Sequence, residues 1–136
     1  MGNTGSRTPL HVDKLATVAF NVHVCGEGVK KWWLVAHSEV ETLEKIIEEN
    51  GGNLYKDAYW MSPSELESTG MKMWYHTQEK GDMVIVPPSV PHTVINEGGF
   101  SCAVAANVMH ENVVEDAWKA EKSIIFCVNK EFVKGF

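Results

Sequence analysis

The chain has few cysteines, no paired C-x-x-C, no long apolar run and no net positive charge, and each shortage removes a class of function. Cys25, Cys102 and Cys127 are odd in number and scattered. That pattern excludes a disulfide framework and a structural zinc site, and it fits a reducing compartment. No apolar stretch approaches the ~20 residues that a membrane-spanning helix needs. Met1 to Leu10 lacks the apolar segment of a secretory signal, and Met1-Gly2 with Gly5-Ser6 only faintly resembles a myristoylation signal. The expected location is therefore intracellular, nucleus or cytoplasm, with no membrane. Twelve Lys and Arg stand against 18 Asp and Glu, a net charge of −6. A chain so charged has no basic surplus for phosphates, so no direct nucleic-acid binding is expected. With 136 residues, 44% of them hydrophobic, it can build one core but not two.

What is present reads mostly as β-strand. Thr17 to Cys25 alternates, with Thr17, Ala19, Asn21 and His23 on one face and Val18, Phe20, Val22 and Val24 on the other. The small and polar face can look into a cavity, and the apolar face calls for a covering layer. Trp32 to Ala36 reads as a buried strand, and further strands are expected at Met71 to Thr77, Asp82 to Val86, Thr93 to Asn96 and Ser101 to Val108. Ser38 to Asn50 reads as an amphipathic helix with Ser38 as N-cap, Glu41 three residues on, and Val40, Leu43, Ile46 and Ile47 as its stripe. Ser62-Pro63 opens a short second helix with Pro63 at its first position. The tail is expected to be helical, packing through Val113, Val114 and Trp118. The fold class is mostly β with helical additions, a double-stranded β-helix of the jelly-roll or cupin kind. Residues 1–10 form a flexible lead-in or first strand, 11–110 the β-helix with a helical insertion at 38–70, and 111–136 a C-terminal helical extension.

The chemistry concentrates in Thr8-Pro9-Leu10-His11-Val12-Asp13 and, far downstream, Pro87-Pro88-Ser89-Val90-Pro91-His92. In an extended His-x-Asp, residues i and i+2 project to the same side, so His11 and Asp13 can reach one metal. With His92 they make a 2-His-1-carboxylate set, the facial triad of non-haem Fe(II) oxygenases, which leaves coordination positions open for a cosubstrate and O₂.

The text around these ligands resembles the JmjC domain over most of the chain. Gly5-Ser6-Arg7-Thr8-Pro9 leads into His11 as in the UTX-like branch. Gly26-Glu27-Gly28-Val29-Lys30-Lys31-Trp32-Trp33 is similar to the family's run of glycine, lysine and aromatics. Gln78 to Pro88 leads to Pro91-His92-Thr93-Val94-Ile95-Asn96, and Ser101 to Asn107 is similar to the last core strand. The resemblance implies a JmjC-type fold with Fe(II) on His11, Asp13 and His92, and with 2-oxoglutarate and O₂ as cosubstrates. It implies release of succinate and CO₂ and hydroxylation of a C–H bond on a protein or peptide. That substrate is either a methylated lysine, as on a histone tail, which is then demethylated, or a side chain that stays hydroxylated.

The same resemblance assigns cosubstrate contacts. Lys30 matches the family lysine for the distal carboxylate, and Lys31 is the neighbour one register position away; the alternative for both is a solvated strand-end charge. UTX-like members place this lysine upstream of His-x-Asp, where this chain has none. Asn21 and Thr8 match hydrogen-bonding positions, Trp32 walls the cavity or is simply core, and Asn107 faces inward by alternation with Ala105. Ala19 and Ala105 stand where relatives have hydroxyl residues. His23 is expected to be a hydrogen-bonded interior residue and His37, His76 and His110 surface residues; the Tyr59-Trp60-Met61 and Met71-Met73-Trp74 clusters are expected to be core. Ten residues precede His11, fewer than the family uses, so either the barrel is minimal or part of its wall is expected from a partner, a second copy or the C-terminal helix. Two other classes stay open: a non-catalytic cupin scaffold for protein interaction, and a cupin of unrelated small-acid or sugar chemistry.

Overall fold

Alternation along Val18–Cys25 organises the molecule, because this strand lies at the centre of one of two sheets. The computed structural model describes residues 1–55, 59–109 and 111. In chain order the strands are β1 (Arg7–His11), β2 (Val18–Cys25), β3 (Val29–Val35), β4 (Met73–Gln78), β5 (Met83–Val86), β6 (His92–Glu97) and β7 (Cys102–Val108). Helices α1 (Val40–Glu49) and α2 (Pro63–Ser68) fall between β3 and β4. One sheet has the order β1-β6-β3-β4 and the other β5-β2-β7, with every pairing antiparallel. This is the mostly-β, jelly-roll type of double-stranded β-helix.

β3 shows why a continuous apolar run can be a strand. Its Trp32 turns inward and packs with Val84, Val86, Val90 and Val94. Its Trp33 and Val35 turn outward into a second core with Leu10, Leu43, Ile47 and Leu66. The helical insertion supplies that second core. Val40, Leu43 and Ile47 of α1 are buried as their spacing predicts, and the Trp33 indole N–H donates to Glu67 Oε1 at 2.9 Å. Leu43 is fully buried. Leu43→Ala is expected to cost about 2–5 kcal/mol, read from the shift of a urea unfolding midpoint.

Two local expectations differ in outcome. At α2 the capping box is present: the Ser62 N–H donates to Glu65 Oε2 at 2.7 Å, and the Glu65 N–H to Ser62 Oγ at 3.2 Å. At α1 the expected Ser38 cap is absent. His37–Glu39 winds as a 3₁₀ turn and α1 begins at Val40 with no side-chain cap. The physical reason is that backbone carbonyls already serve these donors: Glu39 N–H reaches Ala36 O at 2.9 Å, and Val40 N–H reaches His37 O.

The apolar face of β2 is open among the described residues. Register sets Phe20 between Ile85 and Ala106, Val22 between Met83 and Val104, and Val18 beside Val108. Val104 is 60% exposed and Met83 54%. The C-terminal helix expected to cover this face, with Val113, Val114 and Trp118, lies outside the described residues. No helix among those described is long and apolar enough to cross a membrane.

Candidate metal centre

Pairing of β1 with β6 builds the centre. Arg7 opposes Ile95 and Thr8 opposes Val94, then a bulge shifts the register so that His11 stands across from His92. Their ring centroids are 4.2 Å apart. Asp13 follows the end of β1, where Leu15 (φ 61°) and Ala16 (φ 47°) take left-handed conformations in a tight turn into β2. That turn brings the carboxylate back over both rings. One ligand atom from each of His11, Asp13 and His92 lies within 4.8 Å of the others.

Each imidazole is held with one nitrogen occupied. His11 Nδ1–H donates to Pro9 O at 2.8 Å and His92 Nδ1–H to Val90 O at 3.0 Å. A carbonyl only accepts, so Nδ1 carries the proton and Nε2 presents its lone pair to the centre. Burial holds the His92 pKa below the usual imidazole value, with neighbouring His11 adding to the effect while the Val90 hydrogen bond and Asp13 oppose it. A neutral ring is the form that ligates metal.

The carboxylate supplies the test of fit. Asp13 Oδ2 is buried and has no hydrogen-bond partner. It lies 4.0 Å from His92 Nε2, while Oδ1 lies 3.9 Å from His11 Nε2. Those gaps are too long for hydrogen bonds. They fall within twice the ~2.0–2.2 Å of a ligand–metal bond, so one ion can touch both partners. A buried carboxylate oxygen left bare is unfavourable unless a cation arrives. The residues present fit a divalent metal.

Beside the centre lies a cavity of about 140 Å³. All eight residues that the sequence singled out line it: Thr8, His11, Asp13, Asn21, Lys30, Trp32, His92 and Asn107. Its volume suits a small acid and falls well below the ~300 Å³ at which drug-sized pockets begin. Trp32 stacks at 5.9 Å on the His92 ring, and its indole N–H donates to Gln78 Oε1 at 2.9 Å. The wall and the core are thus one residue here, and both readings of Trp32 hold. Asn107 Nδ2 donates to Thr17 Oγ1 at 2.9 Å.

Lys30 and Lys31 part company. The Lys30 ammonium donates to Asn21 Oδ1 at 3.1 Å and sits 5.4 Å from the centre of the Trp32 ring. Burial lowers its pKa. Among the described residues no carboxylate pairs with it. Lys31 points the other way, to Glu97 Oε2 at 2.6 Å, an ion pair open to solvent.

Gln78 was not legible as a site residue. It is fully buried and holds Trp32 while its amide donates to Asn21 O at 2.8 Å and Asp82 O at 3.2 Å. A polar residue closing a strand before Glu-Lys-Gly reads as turn chemistry, which hides this role. Val86 and Val94 also line the cavity, as do Ala19 and Ala105. His23 is interior, donating through Nε2 to Cys25 O at 3.0 Å, and His37 and His76 are exposed. His110 lies outside the described residues. Met61 and Met71 are core, but Trp60 and Trp74 are exposed at 40% and 53%. Their indoles instead pack under the cations of Arg7 and Lys72.

Two antiparallel sheets with His-x-Asp and a distant His converging beside a small cavity define a double-stranded β-helix with a candidate metal centre. A family model described as "JmjC domain, hydroxylase" matches residues 1–108, and the chain belongs to the JmjC family. It is 29% identical over 110 residues to C-module-binding factor A of Dictyostelium discoideum, an alignment covering 79% of this chain and 11% of that protein. The chain thus spans about a tenth of the length of that relative.

Proposed function

We propose that the domain is an Fe(II)- and 2-oxoglutarate-dependent oxygenase acting on a protein or peptide. One observation carries this reading: a single small cavity is lined by a carboxylate with a buried oxygen that has no hydrogen-bond partner and by an ammonium that has no counter-ion among the described residues. The first calls for a cation and the second for an anion. A metal-chelating dicarboxylate satisfies both.

In this reading His11, Asp13 and His92 hold Fe(II), which when bound with 2-oxoglutarate supplies O₂-dependent C–H hydroxylation with release of succinate and CO₂. Lys30 receives the distal carboxylate, Asn21 fixes the ammonium, and Thr8 and Asn107 offer hydrogen bonds at the rim. Trp32, clamped by Gln78, keeps water from the His92 side. The substrate is a methylated lysine, as on a histone tail, or a side chain that stays hydroxylated. The UTX-like wording around His11 favours the demethylase in a nuclear or cytoplasmic setting. Anaerobic addition of Fe(II) and 2-oxoglutarate followed by O₂ is expected to release succinate. Metal binding without any succinate would point to the second reading, a non-catalytic scaffold.

The open apolar face gives that second reading its support, since monomeric proteins rarely expose large apolar patches. Two occupants are open to it, residues 112–136 or a second copy in a symmetric pair or larger complex. Sedimentation at micromolar concentration, with and without residues 112–136, separates them. Self-association of the shortened chain alone assigns the tail as cover, and a dimer of both assigns the second copy. A monomer in both cases contradicts each.

A further inference from the structure

β2 and β7 run antiparallel, and beyond a register shift between His23 and Cys25 at their far end Cys25 is the register partner of Cys102. Opposed residues of such a pair have α-carbons ~4.5–5.5 Å apart. Disulfides span about 4.4–6.8 Å between α-carbons, so the backbone already offers the required spacing. Both thiols are free, and the Cys102 thiol is a neighbouring group that bears on Cys25. Cys25 is exposed and Cys102 half-buried.

The surrounding backbone holds the pair together. Gly28 N–H donates to Phe100 O at 2.9 Å, and Gly26 takes φ 105°, where any side chain would collide with the Phe100 carbonyl. On the other flank Ser101 exchanges two backbone hydrogen bonds with Gly2, at 2.9 and 2.8 Å. Neither strand end can swing away without losing these contacts.

We propose that Cys25 and Cys102 form a reversible redox site that closes to an intrachain disulfide, with a low-molecular-weight disulfide as oxidant. Cys25, the exposed partner, loses its proton and attacks one sulfur of the small disulfide. A mixed S–S bond forms, the reagent's own S–S bond breaks, and one small thiolate leaves and takes up a proton. Cys102 then loses its proton and attacks the Cys25 sulfur. The protein disulfide forms, the mixed bond breaks, and a second small thiol departs. Two protein thiols are oxidised by two electrons and the reagent is reduced to two thiols. Partial desolvation and the Cys102 contact raise the Cys25 pKa against the pull of Lys80. Attack therefore speeds up as rising pH frees the Cys25 thiolate. Closure staples the two strands that carry Asn21 and Asn107, at the end of β2 remote from His11, Asp13 and His92.

The test uses the full chain with Cys127→Ser, equilibrated with oxidised glutathione, then quenched and weighed intact. The expected product has lost two hydrogens, stays a single chain on a non-reducing gel, and yields one proteolytic peptide joining Cys25 to Cys102. Adding Cys25→Ser or Cys102→Ser should instead leave one stable glutathione adduct. The closed form should unfold at a midpoint at least roughly 5 °C above the reduced form. A lasting glutathione adduct on Cys25 with Cys102 intact would overturn the proposal. So would a link between chains, a link to Cys127 in the unmodified sequence, or a closed form that melts below the reduced one.

Discussion

Replacing Asp13 with alanine is expected to abolish 2-oxoglutarate turnover and metal-dependent stabilisation together, while leaving the metal-free fold as stable as before or slightly more so. The three effects share one cause. Asp13 Oδ2 is buried without a partner, a state that costs about 1–3 kcal/mol in the metal-free protein. Removing the carboxylate removes that penalty and, with it, the charged ligand of the centre. The unsubstituted protein should gain about 2.7 kcal/mol of stability at a metal concentration a hundredfold above Kd, and Asp13→Ala should gain almost none. Mn(II), which does not consume O₂ in place of Fe(II), lets thermal unfolding read this without turnover. His37→Ala serves as the control, since His37 is exposed and does not line the cavity, and it should keep both turnover and the metal shift. An Asp13→Ala protein that still gains stability from the metal would remove the carboxylate from the ligand set.

The strand pattern was legible because a two-residue period leaves little freedom. Once β2 shows Ala19, Asn21 and His23 on one face, the apolar partners Phe20 and Val22 must lie on the other, and the β5 and β7 registers follow suit. The placement of His11, Asp13 and His92 at one point was legible for a related reason, the i, i+2 geometry of His-x-Asp. The convergence of His92 on them was not a local property. It depends on the bulge between Thr8 and His11, which no residue type announces. The α1 cap failed for the opposite reason: Ser38 has the chemistry of a cap, but a preceding 3₁₀ turn used the donors first. Gln78 stayed hidden because its partners are distant in sequence: Trp32 meets it from the neighbouring strand β3 and Asn21 from the other sheet. What the cluster offers a ligand is carried by chemistry: a bare carboxylate oxygen and an ammonium held by Asn21, both lining one small cavity.

That ammonium carries the other large effect. Lys30→Ala is expected to raise the 2-oxoglutarate requirement by about a hundredfold to a thousandfold, and Lys31→Ala to leave it nearly unchanged. In the ligand-free protein Lys30 is partly desolvated, which lowers its pKa and disfavours the charged form, and only Asn21 and the face of Trp32 compensate. An arriving carboxylate would complete the pair at a half-buried lysine, and breaking a desolvated pair by removing one partner costs about 3–5 kcal/mol. At about 1.4 kcal/mol per tenfold, that is the stated change in affinity. Lys31 already has its counter-ion in Glu97 at 2.6 Å on the solvent side, where an ion pair is worth at most about 1 kcal/mol. Titration of the Mn(II)-loaded protein with 2-oxoglutarate, followed by thermal unfolding, separates the two without turnover. Lys30→Arg distinguishes charge from fit: the larger guanidinium keeps the charge but crowds a cavity of about 140 Å³, so its affinity should fall between those of Lys30→Ala and the unsubstituted protein. A large loss in Lys31→Ala with none in Lys30→Ala would place the anion on the outer face of β3, and the cavity would then need a different occupant.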